Sequence, residues 1–258
     1  MTSFPSFSSL RCLLPLLLSW PIVAMGADPL QIAVIPKGTT HVFWKSVEAG
    51  ARKAGSELGV TVIWKGPLKE DDRAQQIGMV QQFVASKVSG IVLAPLDATA
   101  LTGPVKSAQQ ANIPVVIIDS GLKSDKYLSF VSTDNFKGGQ LAGEHLGKLL
   151  NGRGNVILLR YAVGSASTEE CESGFLDVLK NKFPDIKILS SDQHAGATRE
   201  TAYQASQNLL NRFGREVNGI FCPNETATIA MTKALKDIGK AGGVVKMIGF
   251  DAGSQSVR

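Results

Sequence analysis

Cysteine and histidine are both scarce in this chain of 258 residues, with three of each. Three cysteines are too few for a disulfide scaffold or an all-cysteine structural zinc site. His41, His145 and His194 stand far apart, and there is no His-x3-His, His-x-x-Glu or Cys-x-x-Cys spacing. No metal is therefore expected. Gly-x-Ser-x-Gly and the phosphate-binding Gly-x-x-x-x-Gly-Lys-Ser/Thr are missing, and no Gly-x-Gly-x-x-Gly follows the first candidate strand, so nothing points to a nucleophile or to a nucleotide cofactor. The 27 basic residues exceed the 22 acidic ones by five but are scattered. Without a Lys/Arg block, a nucleic-acid partner is not expected. Glycine and proline, at 26 and 11, are ordinary, which excludes collagen-like and low-complexity chains.

What is present is 44% hydrophobic and 19% charged, enough to bury the core of one or two domains. Residues 1–26 read as an export signal. A single charge, Arg11, precedes an apolar stretch from Cys12 to Met25, which ends in the small residues Ala24-Met25-Gly26-Ala27. The rival reading is a membrane anchor, but the stretch is shorter than the ~20 residues a spanning helix needs, and it holds Pro15 and Pro21. Cleavage after Gly26 or Ala27 would remove Cys12. No later window offers ~18 uninterrupted apolar residues, so the remainder is expected to be soluble, in an oxidising compartment.

From residue 30 onward, short β-rich runs alternate with longer helical periodicities. Strands are predicted at Leu30–Ile35, Val60–Trp64, Gly90–Ala94 and Val115–Asp119. Between them, Phe43, Val47, Ala51, Ala54 and Leu58 recur at helical spacing, as do Ile77, Val80, Val84 and Val88. Leu101, Val105 and Ala108 continue the scheme, with Asp97 or Thr99 as N-cap. A second series begins at Phe130–Ser132. It predicts helices at Asn135–Leu150, Ser167–Lys182, Ala197–Phe213 and Glu225–Ile238. Strands fall at Val156–Arg160, Ile186–Ser190, Gly219–Cys222 and Val244–Phe250. The fold class is α/β: two doubly wound parallel-sheet domains with a ligand cleft between them. The domains divide as 1–26 signal, 27–132 first lobe and 133–258 second lobe, joined near 131–135.

Such sheets bind ligands beyond the carboxyl ends of their strands. The residues there are polar: Lys37–His41, Leu96-Asp97, Asp119-Ser120, Ala162–Thr168, Gln193-His194, Pro223-Asn224-Glu225 and Asp251. Asp119 and Asp251 each follow an apolar strand. A carboxylate there can accept two hydroxyls, and the alternative is a helix cap. Asn224 can donate and accept at once, or serve as a turn residue. Phe43 and Trp44 are adjacent, cannot share one helix face, and so direct at least one ring away from the core. Gly164–Thr168 could hold an anion on free N–H groups or simply cap a helix.

The segments Thr40–Trp44, Asn112–Ser120, Ser132–Gly139, Pro223–Glu225 and Ile248–Asp251 together resemble the periplasmic sugar-binding proteins of ABC importers, the ribose-binding branch above all. The resemblance runs from about Gln31 to Asp251. It implies the type I periplasmic-binding fold, periplasmic localisation, a monosaccharide or polyol ligand, a membrane permease as partner, a monomer and no catalysis. A periplasmic sensor feeding a membrane receptor or kinase is the alternative role. The resemblance assigns ligand contacts to His41, Phe43, Trp44, Asp119, Asn224 and Asp251, and the inter-lobe hinge to Asp134 and Asn135. Ser120 and Cys171 fall where the family often has arginine, and Ala197 where it often has an aromatic. Because a thiol offers no planar fork of donors, pentose specificity is not implied. The family also continues past Asp251 to complete the first lobe. A missing C-terminal return segment is thus expected, leaving one crossing of the usual three and an unpaired strand edge. Pairing of Cys171 with Cys222 is left open.

Overall fold

The computed structural model describes residues 1–2 and 29–251. Apart from Met1 and Thr2, the segment read as an export signal lies outside the described residues. The first series gives β1 (Gln31–Ile35), α1 (Val42–Leu58), β2 (Thr61–Trp64), α2 (Arg73–Ala85), β3 (Gly90–Leu93), α3 (Thr102–Gln110), β4 (Val115–Ile118) and β5 (Ser129–Val131). The second gives α4 (Asn135–Leu149), β6 (Gly154–Leu158), α5 (Ala166–Lys182), β7 (Ile186–Ser190), α6 (Arg199–Phe213), β8 (Gly219–Cys222), α7 (Glu225–Asp237) and β9 (Lys246–Gly249).

The strands form two sheets, ordered β2-β1-β3-β4-β5 and β7-β6-β8-β9, with every pairing parallel. The two orders are the same, with one extra strand in the first lobe. Asp119 and Asp251 therefore leave equivalent strands, β4 and β9. Parallel strands need crossovers, and helices on the sheet faces supply them.

The second lobe is covered on both faces. Ile157, Ile220 and Cys222 pack with α6 and α7, whereas Val156, Leu158 and Phe221 pack with α4 and α5. Cys171 belongs to the α4–α5 face. The two thiols thus lie on opposite faces of one sheet, both buried and unbonded. Helices α4 and α5 touch backbone to backbone. A Cβ on Gly139 would sit 1.9 Å from the Cys171 carbonyl oxygen, and one on Gly174 would sit 2.0 Å from that of Phe136.

In the first lobe, Ala33, Ile35, Ile91, Leu93 and Ile117 pack against α2 and α3. The opposite face carries α1, of which only Trp44 and Gly55 are buried. There Val92, Val116 and Ile118 stay half-buried. Strand β5 ends the sheet, and its Phe130 and Val131, with Leu128 just before it, are exposed.

Four of the seven described helices start with a side-chain cap. Asp72, Asp134, Thr198 and Asn224 cap α2, α4, α6 and α7 through side-chain oxygens. The expected cap of α3 does not: Asp97 Oδ1 accepts from the N–H groups of Thr99 and Ala100, at 2.8 and 2.9 Å. It closes a turn ahead of α3, whose N-cap is Leu101 with no side-chain bond. Among the described residues no helix is long and apolar enough to cross a membrane.

Candidate binding site between the lobes

The first-lobe wall is built on Gln76, a fully buried residue of α2. Its amide donates to the carbonyls of Pro36 and Ala94, at 3.0 and 2.8 Å, and accepts from Leu96 N at 2.9 Å. One side chain thereby ties together the chain exits of β1 and β3 and fixes the residue after Pro36, which is Lys37. Lys37 is 3% exposed. Its ammonium lies 3.0 Å from Asp119 Oδ2 and crosses to the second lobe, donating to Ser165 Oγ at 3.2 Å and Ser167 Oγ at 3.0 Å. The loop weighed as an anion site or helix cap thus receives a lysine from the other lobe, and Ser165 makes no side-chain cap bond to α5.

Glu70 is the second anchor. Its carboxylate is 8% exposed and faces His41 Nδ1 at 2.9 Å. It also accepts from Trp44 Nε1 and, across the cleft, from the hydroxyl of Tyr161. Burial alone would raise the Glu70 pKa, but the hydrogen bonds and nearby positive charge of His41, with Lys37 and Tyr161, outweigh it and hold the group below its usual value. The same hydrogen bond raises His41 above its usual value, against burial. Burial, then the Glu70 charge, pushes the Tyr161 phenol well upward, so it stays a donor. Tyr161 is itself held by the buried Glu172, which accepts from Tyr161 N at 2.9 Å and pairs with Arg160 at 2.6 Å.

The second-lobe wall is the start of α7. Asn224 Oδ1 is spent on the cap, accepting from Ala227 N at 3.1 Å, and its amide N–H groups have no partner among the described residues. Glu225 Oε2 accepts from Phe43 N at 3.3 Å, joining the α7 start to the α1 start. Phe43 and Trp44 meet edge to face, with centroids 4.9 Å apart and planes at 85°. Further inter-lobe bonds run from Ser167 N to Ser120 Oγ, from Ala98 N to Gly164 O and from Arg73 Nη2 to Val163 O. The lobes are closed on one another.

Asp119 and Asp251 share a rare backbone state, with φ of 61° and 62°. This left-handed region disfavours any residue with a Cβ. Burial, then the negative charge of Asp119, lifts the Asp251 pKa to about 7, although the N–H of Glu225 donates to it.

One cavity gathers most of the residues expected from the sequence: His41, Phe43, Trp44, Asp119, Asn224 and Asp251 all line it. It is small, about 40 Å³ of space open to the centre of a water molecule, room for about three waters. Ser120 is buried behind this lining and serves Ser167 N. Cys171 is also outside the lining. It is 1% exposed, and its thiol is pushed up to about 12 by burial, then by the charges of Asp251 and Glu172. Asp134 and Asn135 sit at the α4 start, the former capping it through Lys137 N at 2.9 Å and the latter buried. His145 and His194 are exposed.

Sequence reasoning missed Glu70, Tyr161 and Thr226, and gave Lys37, Ser167, Thr168 and Glu225 no role of their own. All seven line the cavity. A second compartment of about 210 Å³ adjoins it, shares Lys37, Glu70 and Tyr161, and reaches Ala197.

The family described as periplasmic binding protein domain matches residues 32–258. The chain belongs to this family. It is 29% identical over 229 residues to the ribose import binding protein of Escherichia coli, covering 88% of this chain and 74% of that one. Two crystal structures share its fold. A carbohydrate transporter solute-binding protein from Agrobacterium radiobacter, in complex with D-arabinose, superposes with TM-score 0.85 at 32% identity, over 90% of this chain and 79% of that one. An ABC transporter solute-binding protein from Agrobacterium vitis with bound D-fucose does so with TM-score 0.82 at 35% identity, over 87% and 78%. These named relatives are binding proteins rather than enzymes. Parallel sheets in two lobes make this periplasmic binding protein one of type I.

Proposed function

We propose that this periplasmic binding protein captures a monosaccharide or related polyol between its lobes and delivers it to the permease of an ABC importer. In this reading it works in the periplasm as a monomer, transforms nothing, and is exported by residues 1–26. The supporting observation is the inter-lobe cavity lined by carboxylates, an amide and the rings of Phe43, Trp44 and Tyr161. Carboxylates and amides suit hydroxyl groups that donate and accept together, and a ring face suits the C–H face of a sugar. The relatives named above with ribose, arabinose and fucose point the same way. The cavity is narrow when the lobes meet, so the solute enters as they part about residues 131–135 and selects the closed form on contact with both.

Calorimetric titration of the full chain with pentoses, hexoses and cyclitols tests the reading. At least one is expected to bind, and Asp119→Asn is expected to weaken it about 10- to 100-fold, the worth of roughly 1.5–3 kcal/mol for a charged hydrogen bond. Silence across the whole panel, from a protein with a cooperative melt, refutes it.

A further inference from the structure

The charges lining the cavity do not balance. Among the described residues that line it, the acids Glu70, Asp119, Glu225 and Asp251 face only two basic residues, Lys37 and His41. Both cations are committed to first-lobe carboxylates, Lys37 to Asp119 at 3.0 Å and His41 to Glu70 at 2.9 Å. Neither carboxylate of the second-lobe pair forms an ion pair among the described residues, and Glu225 feels His41 only at longer range. Glu225 has the N–H of Phe43, and Asp251 has the N–H of Glu225. Glu225 is buried and Asp251 half-buried, and carboxylates so enclosed ordinarily need a paired charge.

The same wall holds polar groups with nothing to bond. Thr226 is 2% exposed and Asn224 is 8% exposed, and both line the cavity. Among the described residues the Thr226 hydroxyl and the Asn224 amide nitrogen have no hydrogen-bond partner, yet neither is an orphan sealed away from the cavity. Donors that face a void beside two uncompensated carboxylates describe a ligand bearing both hydroxyls and a positive charge.

We propose, resting on the polyol reading above, that the ligand is an amino sugar or aminopolyol whose ammonium sits against Glu225 and Asp251 while its hydroxyls meet Asn224, Thr226 and Asp119. The upward shift of Asp251 fits this arrangement. The groups facing it are Asp119, Glu225 and Glu70, all acidic, with the buried Cys171 thiol nearby. A carboxyl so surrounded keeps its proton until a cation arrives. Ammonium binding therefore displaces a proton at neutral pH, and affinity falls as pH drops below about 7.

The test is calorimetry on the full chain at pH 7, pairing each neutral hexose or pentose alcohol with its amino-deoxy counterpart and with the N-acetylated form, which lacks the charge. An amino compound that binds at least tenfold tighter than both its neutral parent and its N-acetyl form supports the inference. So does narrowing of that gap to under threefold in Asp251→Asn or Glu225→Gln, checked for an unchanged melting profile. If a variant does not fold, the wild-type comparison decides alone. Neutral parents that bind as tightly as amino forms, or more tightly, overturn the inference and leave the polyol reading standing. Binding of neither class overturns both.

Discussion

Replacing Glu70 by glutamine isolates the hub that joins the lobes. The carboxylate accepts from His41, Trp44 and Tyr161. A hydrogen bond to a charged group contributes about 1.5–3 kcal/mol net. The amide keeps one carbonyl oxygen, which can hold two of the donors as weaker neutral bonds, but turns an N–H toward the third. The Tyr161 hydroxyl can turn to accept from that N–H, so what goes is the charge on all three bonds, about 1 kcal/mol each, an expected destabilisation of about 2–4 kcal/mol. In urea, with a slope of about 2 kcal/mol/M, the midpoint falls by roughly 1–2 M. The pH dependence adds a second, sharper criterion. Glu70 is held below its reference value of 4.5, so its share of the stability is present above 4.5 and is lost as pH falls through the lowered folded value. His41 is raised above its reference value of 6.5, so its share is present below 6.5 and is lost as pH rises through the raised folded value. The gap between wild type and Glu70→Gln should thus be widest between about 4.5 and 6.5 and narrow on both sides. Denaturation series at pH 3.5, 5.5 and 8 would measure it. A gap below 0.5 kcal/mol at pH 5.5, or one that is flat across the series, refutes the reasoning.

Two further substitutions probe the framework behind the site. Gly139→Ala places a methyl 1.9 Å from the Cys171 carbonyl oxygen and must push α4 from α5, at a cost of about 3 kcal/mol or more; calorimetric melting of the variant reads it, and an unchanged midpoint would show that the helices part freely. Gln76→Leu leaves the Pro36 and Ala94 carbonyls and the Leu96 N–H without their buried partner; about 2–4 kcal/mol of stability is expected to go, together with ligand affinity because Lys37 loses its footing, and retention of wild-type affinity would sever that link.

Much of the fold was legible because its punctuation is chemical. Asn151-Gly152, Pro184 and Pro223-Asn224 delimit β6, β7 and β8, and the both-faces apolar run of Val115–Ile118 marks a covered parallel strand. The start of α3 was not legible, since an aspartate closes a turn as readily as it caps a helix and Asp97 does the former. The strand-end rule reached Asp119, Asn224 and Asp251 because topology alone puts strand exits at the cleft. It could not reach Glu70, which stands in the charged stretch Lys69-Glu70-Asp71-Asp72-Arg73 and reads as a solvated loop. Only the closure of the lobes buries it, beneath a tyrosine 91 residues away. The buried state of Lys37 is equally non-local, since its partners lie at 119, 165 and 167.

The left-handed turn at Asp251 carries a further implication. Glycine would relax that turn and would also thin the crowd of carboxylates around it. Asp251→Gly should therefore yield a hardier molecule, by about 1 kcal/mol, and a poorer receptor, with thermal melting and ligand titration moving in opposite directions. A chain tuned for durability alone would put glycine at that corner, so under the proposed function the aspartate there gives up stability for recognition.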